Sequence, residues 1–318
     1  MNSSVPTFLP PLPHSWIQAC EALTGDPGIA MVLGASDSGK TTWIAVAARQ
    51  LVQAGKLPAA IVDADVGQST IGPPTTVALA FLQENLTSDF RIDRLPWQGL
   101  FFVGAVSPPG HLLQILVGTK RLVDTAIRYG ASTVLVDTTG LIDQGAGFQL
   151  KLRKIELLGP RHLVVLQRGK ELEPLLAVVT GRPELRVHRL EVSPSARART
   201  PAERARYRAD RFAAYFAGAP TLVLETKQLI ILASPGGQLR AKMGGTSPLL
   251  QPNMLRREDL IGLLVGLHDS ANETLGLGVF EELSQDSRHI SIRTPLVGTA
   301  GIRILQLGSI CLDERKGE

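Results

Sequence analysis

Through the first two thirds of the chain, apolar residues come in short unbroken runs separated by stretches of helical spacing. The runs lie at 28–33, 59–62, 100–103, 132–136 and 162–166, with a shorter one at 185–192. A strand buried on both faces reads this way, without alternation. Between them, 43–52 is alanine-rich, 149–158 has helical spacing, and 111–129 places Leu112, Ile115, Leu116, Leu122, Val123 and Ala126 on one helical face. Strand and helix alternating over 28–192 predict an α/β fold: a parallel sheet with helices on both faces, a three-layer sandwich. His111, beside the turn at Ser107–Gly110, reads as a solvated or capping residue.

From Pro220 the pattern changes. Strand-length runs at 221–225, 229–233, 289–293 and 302–306, punctuated by glycine and proline, predict a smaller β-rich domain. Ahead of the first strand, a proline-rich arm leads to a short helix at 15–23, with Trp16 on its apolar side as a packing residue. The expected division is an arm and helix over 1–27, an α/β domain over 28–218, and a β-rich domain over 219–318.

Composition narrows the class. The 318 residues are 44% hydrophobic and 19% charged, which describes a globular chain able to bury a large core. The net charge of +4 permits a nucleic-acid partner without demanding one. Cys20 and Cys311 are too far apart for metal-type spacing, so neither zinc nor a disulfide framework is expected, and a reducing cytoplasm fits. There is no basic flank followed by an apolar core at the start, and no apolar run near ~18 residues. Neither a signal peptide nor a membrane partner is expected.

The chemistry begins at Gly34-Ala35-Ser36-Asp37-Ser38-Gly39-Lys40-Thr41-Thr42, which fits the phosphate-binding loop G-x-x-x-x-G-K-[ST] between a strand and a helix. Glycines turn backbone N–H groups inward, and the helix N-terminus adds its positive end. Lys40 is expected to reach the β- and γ-phosphates of a nucleoside triphosphate, and Thr41 to hold Mg²⁺. The next strand ends in Asp63-Ala64-Asp65-Val66-Gly67-Gln68, carboxylates placed to bind Mg²⁺ or take a proton from an attacking hydroxyl. Asp65, just before the turn at Gly67, is favoured, and Asp63 stays open. Asp137-Thr138-Thr139-Gly140 closes another buried strand in the Walker B form, where the acid orients water on Mg²⁺. Residues 193–212 carry six arginines against two acids. Thr200 as N-cap with Pro201 starts a helix there, and Arg204, Arg208 and Arg211 share one face. Arginines beside a phosphotransfer core predict a helical lid over 193–216.

Four segments together, GASDSGKTT, DADVGQS, FVGAVSPPG and VDTTGL followed by GAGFQL, resemble the polynucleotide 5′-hydroxyl kinases. These are the kinases related to the RNA kinase of the pre-mRNA cleavage factor and to the ribosomal-RNA-processing kinase. The resemblance is to the compact prokaryotic-type members. It implies transfer of the ATP γ-phosphate to the 5′-OH end of RNA or DNA, with RNA-repair or RNA-processing partners. It implies Lys40, Asp65, Arg199 and Arg204 as catalytic residues, residues 34–42 as the ATP site, and Thr41, Asp65 and Asp137 around Mg²⁺. It places Gln68, Ser107, Thr139, Gly140 and Leu141 toward the acceptor nucleotide. Two departures stand out: the family pattern N-T-x-G-W is here D-T-T-G-L, so Asp137 adds charge near Mg²⁺ and Leu141 replaces a tryptophan that stacks on the acceptor base.

Three rival readings remain. An ATP-bound adaptor without catalysis is disfavoured by the presence of Lys40, Asp65, Arg199 and Arg204 together. A P-loop switch or metallochaperone is disfavoured because residues 34–38 lack a second lysine and no guanine-reading N-K-x-D occurs. A small-molecule kinase is the runner-up, because arginine lids serve it too.

Overall fold

A computed structural model describes residues 12–84, 90–143, 145–192, 196–233, 249–251 and 257–312. The start of the proline-rich arm and residues 193–195 of the expected lid lie outside them. The first sheet contains β1 (Ile29–Gly34), β2 (Ala59–Ala64), β3 (Thr76–Phe81), β4 (Gly99–Phe102), β5 (Thr133–Thr138), β6 (His162–Leu166) and β7 (Arg186–Leu190). Their order is β4-β3-β2-β5-β1-β6-β7. The unbroken apolar runs have their cause here: β2, β5 and β6 are buried at every position.

The two faces bury alternate residues of the same strands. Ala30 and Val32 of β1 pack toward α1 (His14–Gly25) and α2 (Lys40–Gln53), while Met31 and Leu33 pack toward α4 (Ala146–Leu158) and α5 (Glu173–Val179). α3 (Leu112–Arg128) covers β2 and β3 on the second face. The three layers predicted from alternation are present, with one difference. β3 runs antiparallel to β2, and β4 antiparallel to β3. Among the described residues no α-helix lies between β2 and β4, only a single 3-10 turn at Ile92–Arg94, and a parallel β3 would have needed a longer crossover. His111 also differs from its reading. It is buried, makes no side-chain cap, and among the described residues its Nδ1 has no hydrogen bond, while its backbone N–H donates to the Pro108 carbonyl in the turn before α3.

After α6 (Pro201–Tyr215), a second sheet forms from β8 (Thr221–Glu225), β9 (Ile230–Leu232), β10 (Leu249–Leu250), β11 (Leu263–His268), β12 (Thr274–Leu283), β13 (His289–Arg293) and β14 (Ile304–Cys311). The order is β10-β9-β14-β11-β12-β13-β8, antiparallel except for the β14–β9 pair. It is joined to the first sheet through β4. Phe102 N donates to Thr274 Oγ1 at 3.1 Å, and Ser309 N donates to Gly104 O at 2.8 Å. Leu264, Leu277 and Val279 share one apolar cluster with Leu100 and Phe102. A Cβ on Gly266 would stand 2.4 Å from the Phe102 ring and 2.7 Å from His268 Nε2. Gly266→Ala is therefore expected to destabilise the protein by about 1–3 kcal/mol through overpacking of this seam. Urea unfolding measures it, and an unchanged midpoint would contradict the close approach. Cys20 and Cys311 are both free, and among the described residues no helix is long and apolar enough to cross a membrane.

Candidate active site

The phosphate-binding loop is closed by backbone contacts that only glycine permits. A Cβ on Gly34 would meet Ser38 Oγ at 2.4 Å and Leu166 O at 2.6 Å, and Gly39 has φ 99°. α2 begins at Lys40, so its first free N–H groups open onto the loop. Lys40 is buried, and its Nζ donates to Ala35 O at 2.9 Å across the loop. Thr41 Oγ1 donates to Asp137 Oδ2 at 2.6 Å, bringing together two residues expected around a metal ion. Trp16 packs behind the loop, its ring 3.5 Å from the position of a Gly39 Cβ and its Nε1 donating to Glu191 O at 2.9 Å. It is the packing residue expected.

The two acids at the end of β2 divide cleanly. Asp63 is buried and accepts three backbone N–H bonds: from Asp65 at 3.0 Å on Oδ1, and from Thr70 at 2.6 Å and Ile71 at 2.9 Å on Oδ2. Burial and the neighbouring Asp137 push its carboxyl up to about 7, with those N–H groups pulling the other way. Asp63 shapes the turn. Asp65 lines the cleft; its Oδ1 accepts from Gly67 N at 3.2 Å and Gln68 N at 3.0 Å. Among the described residues its Oδ2 makes no hydrogen bond. Gln68 also lines the cleft. Ser107 does not: it is exposed, on the segment whose Val106 carbonyl lies 2.6 Å from the position of a Gly67 Cβ.

The turn after β5 lies directly on the phosphate loop. A Cβ on Gly140 would be 2.2 Å from Ser36 Oγ and 2.5 Å from Ser36 N. Asp137 is buried, which raises its carboxyl, while Lys40 and the Thr41 hydroxyl oppose that rise. Thr139, expected toward an acceptor, is instead buried and held by Lys151 of α4, whose Nζ donates to its carbonyl and side-chain oxygens and to Thr138 Oγ1. The lysine needs those oxygens because it is itself fully buried, which drives its pKa well down. Lys154, one turn on, is also buried, and burial lowers it to about 8. Leu141 is half-buried beside Gly147 and outside the cleft.

α6 starts where the sequence places it. Thr200 and Glu203 form a reciprocal capping box, with Pro201 in the first turn. Its inner face is tied across the cleft: Arg211 Nη2 donates to Thr70 O at 2.9 Å and Gly72 O at 2.6 Å, and Tyr207 Oη to Ser69 O at 3.1 Å. Arg199 Nε and Arg204 Nη2 each reach the Asp37 carboxylate at 2.9 Å. At the far end, Tyr215 Oη accepts from Leu277 N at 2.9 Å, anchoring the lid to the second sheet. The result is a cavity of about 350 Å³ whose walls include Lys40, Thr41, Asp65, Gln68, Arg199 and Tyr207. One wall group and one supporting group behind the loop after β5 escaped the sequence reading. Tyr207 stacks under Arg199, 5.5 Å from guanidinium to ring centre, and its signal was its i+3 spacing from Arg204. Lys151 had no signal, since a lysine in an amphipathic helix reads as solvated.

The donor set fits a nucleoside triphosphate with its magnesium. Among the described residues the buried Arg204 Nε makes no hydrogen bond, Gly34 and Gly140 let the chain close tightly around the loop where a Cβ would not fit, and Thr41 and Asp137 offer hard oxygen ligands. Among the described residues no cluster of three or more histidine, cysteine and carboxylate groups forms a metal site of the protein alone.

The chain is similar to known proteins in both sequence and fold. The chain is 29% identical over 323 residues to a polyribonucleotide 5′-hydroxyl-kinase of Pyrococcus furiosus, covering 91% of this chain and 88% of the relative. It is 30% identical over 325 residues to one of Methanocaldococcus jannaschii, with the same coverage of 91% and 88%. The fold matches Clp1p in its complex with Pcf11p at a TM-score of 0.71, with 12% identity, over 94% of this chain and 79% of that one. The family model described as mRNA cleavage and polyadenylation factor CLP1 P-loop matches residues 34–218, more than half of the chain. The chain that places these arginines over this loop belongs to the CLP1 P-loop family.

Proposed function

We propose that this protein is an ATP-dependent polynucleotide 5′-hydroxyl kinase. The observation that carries the reading is a single cleft lined both by the donor-side residues Lys40 and Thr41 and by the acceptor-side residues Asp65 and Gln68, with Arg199 above. The relatives are named for polyribonucleotide ends, which supports RNA as the acceptor. In the reaction, the acceptor 5′-oxygen forms a bond to the γ-phosphorus. The bond from that phosphorus to the β,γ-bridging oxygen breaks, and ADP leaves. The hydroxyl proton passes to Asp65 Oδ2, while Oδ1 stays bound to the turn. Lys40 and the α2 N-terminus hold the β- and γ-phosphates, and Gln68 orients the acceptor end. Thr41, Asp65 and Asp137 would hold Mg²⁺, which would supply neutralisation of charge on the phosphates. Gly140 closes against Ser36 of the phosphate loop, while Ser107 and Leu141 lie outside the cleft and take no step in this reaction.

The test uses ATP labelled at the γ-phosphate, Mg²⁺, and 5′-OH oligonucleotides. Label at the 5′ end of RNA is the expected result. ATP bound without any transfer would replace the kinase with a silent adaptor. Arg204→Ala is expected to slow single-turnover transfer by roughly 10²-fold while changing ATP affinity far less, since arginine acts on transition-state charge. An unchanged single-turnover rate would remove Arg204 from the lid's catalytic role.

A further inference from the structure

A phosphate loop cradles its ligand with backbone N–H groups, so a carboxylate on it is out of place. Asp37 is that carboxylate. It has φ 58°, in the left-handed region that aspartate and asparagine tolerate, and its side chain is 6% exposed. It accepts Arg199 N and Arg199 Nε on its two oxygens and Arg204 Nη2 as well, all at 2.9 Å. Its backbone carbonyl accepts Arg168 Nη2 at 2.9 Å. Burial pushes the Asp37 carboxyl up, but the bonds from Arg199 and Arg204 outweigh it and hold the group below the usual carboxylate range. The Arg204 fork is only partly used: Nη2 is engaged, and among the described residues the buried Nε has no hydrogen-bond partner.

We infer that Asp37 is a positioning residue, which orients Arg199 and Arg204 over the phosphate site before the transferring phosphoryl group arrives. The inference rests on the kinase reading. Two guanidinium groups beside Lys40 repel one another, and both side chains have solvent to escape into, at 39% and 31% exposed. One shared carboxylate between them cancels that repulsion and fixes the fork. The arginines then present spare donors to a second anion without reorganising during the reaction. The same carboxylate opposes phosphate binding by its charge. Its removal therefore moves the two halves of the reaction in opposite directions: ATP affinity holds or improves, and the chemical step slows. A residue with a merely structural role would weaken both.

Asp37→Asn keeps the shape and the left-handed backbone while removing the charge. In the full-length protein, single-turnover transfer is expected to slow by about tenfold, with ATP affinity equal to or tighter than wild type. In the Arg204→Ala background the same substitution should cost about threefold or less, because half of what it positions is gone. In the nucleotide-free protein, trypsin should cut after Arg197, Arg199 or Arg204 several-fold faster in the variant than in wild type. An undiminished effect in the Arg204→Ala background, or wild-type cleavage rates, overturns the inference. If wild-type protein transfers nothing, the kinase reading fails by itself, and the cleavage rates alone decide whether Asp37 holds the lid.

Discussion

Lys40→Ala is expected to reduce phosphate transfer by on the order of 10³-fold or more, the loss that follows when a charge aimed at a transferring phosphoryl group is removed. The side chain is buried, and among the described residues its Nζ has one partner, Ala35 O, across the loop. That leaves two of its three donors for phosphate oxygens. Its charge also reaches Asp137, whose buried carboxyl it helps keep ionised. Alanine removes both effects at once. The phosphates lose their cation, and Asp137 rises further, so that Thr41 faces a carboxyl readier to hold a proton than to support a metal ion. Single-turnover transfer with thermal unfolding as the folding control measures the effect. A rate within tenfold of wild type would mean that Arg199 and Arg204 carry the phosphate charge alone.

The donor half of this site was legible because its physics is local. Gly34, Gly39, Lys40 and Thr41 are fixed by one strand, one turn and one helix start, all adjacent in sequence. The helix start at Thr200 was legible for the same reason, through its capping box. The sheet was legible in composition but not in every direction, because the unbroken apolar run of β3 reads the same whichever way it points. Contacts between distant segments were not legible at all. The grip of Lys151 on Thr139 depends on α4 folding back under β5. The three bonds from the lid to Asp37 join residues 162 and 167 positions apart. Neither spacing nor residue type announces them, and they are what turn a phosphate loop into a closed cleft.

The choice between Asp63 and Asp65 was also undecidable from sequence, and it yields the sharpest test of the acceptor half. Asp65→Asn is expected to lower the rate of transfer by about 10²–10⁴-fold, the range of a lost general base. It should leave ATP affinity and thermal stability close to wild type. The amide oxygen of asparagine can still accept Gly67 N and Gln68 N, so the turn survives, and only the proton acceptor and its charge are lost. Asp63→Asn should behave in the opposite way. Both of its oxygens already accept backbone N–H groups in a buried site, and an amide NH₂ would set donor against donor. That costs about 1–3 kcal/mol of stability. Rate loss at unchanged stability for residue 65, against stability loss for residue 63, is the expected pair of results. The measurements are single-turnover transfer and urea unfolding on the same preparations. If Asp65→Asn transferred phosphate at near wild-type rate, the proton would have another acceptor and the acceptor half of the cleft would need a different base. The chain offers only one other acid on that strand, and it is already committed to the turn.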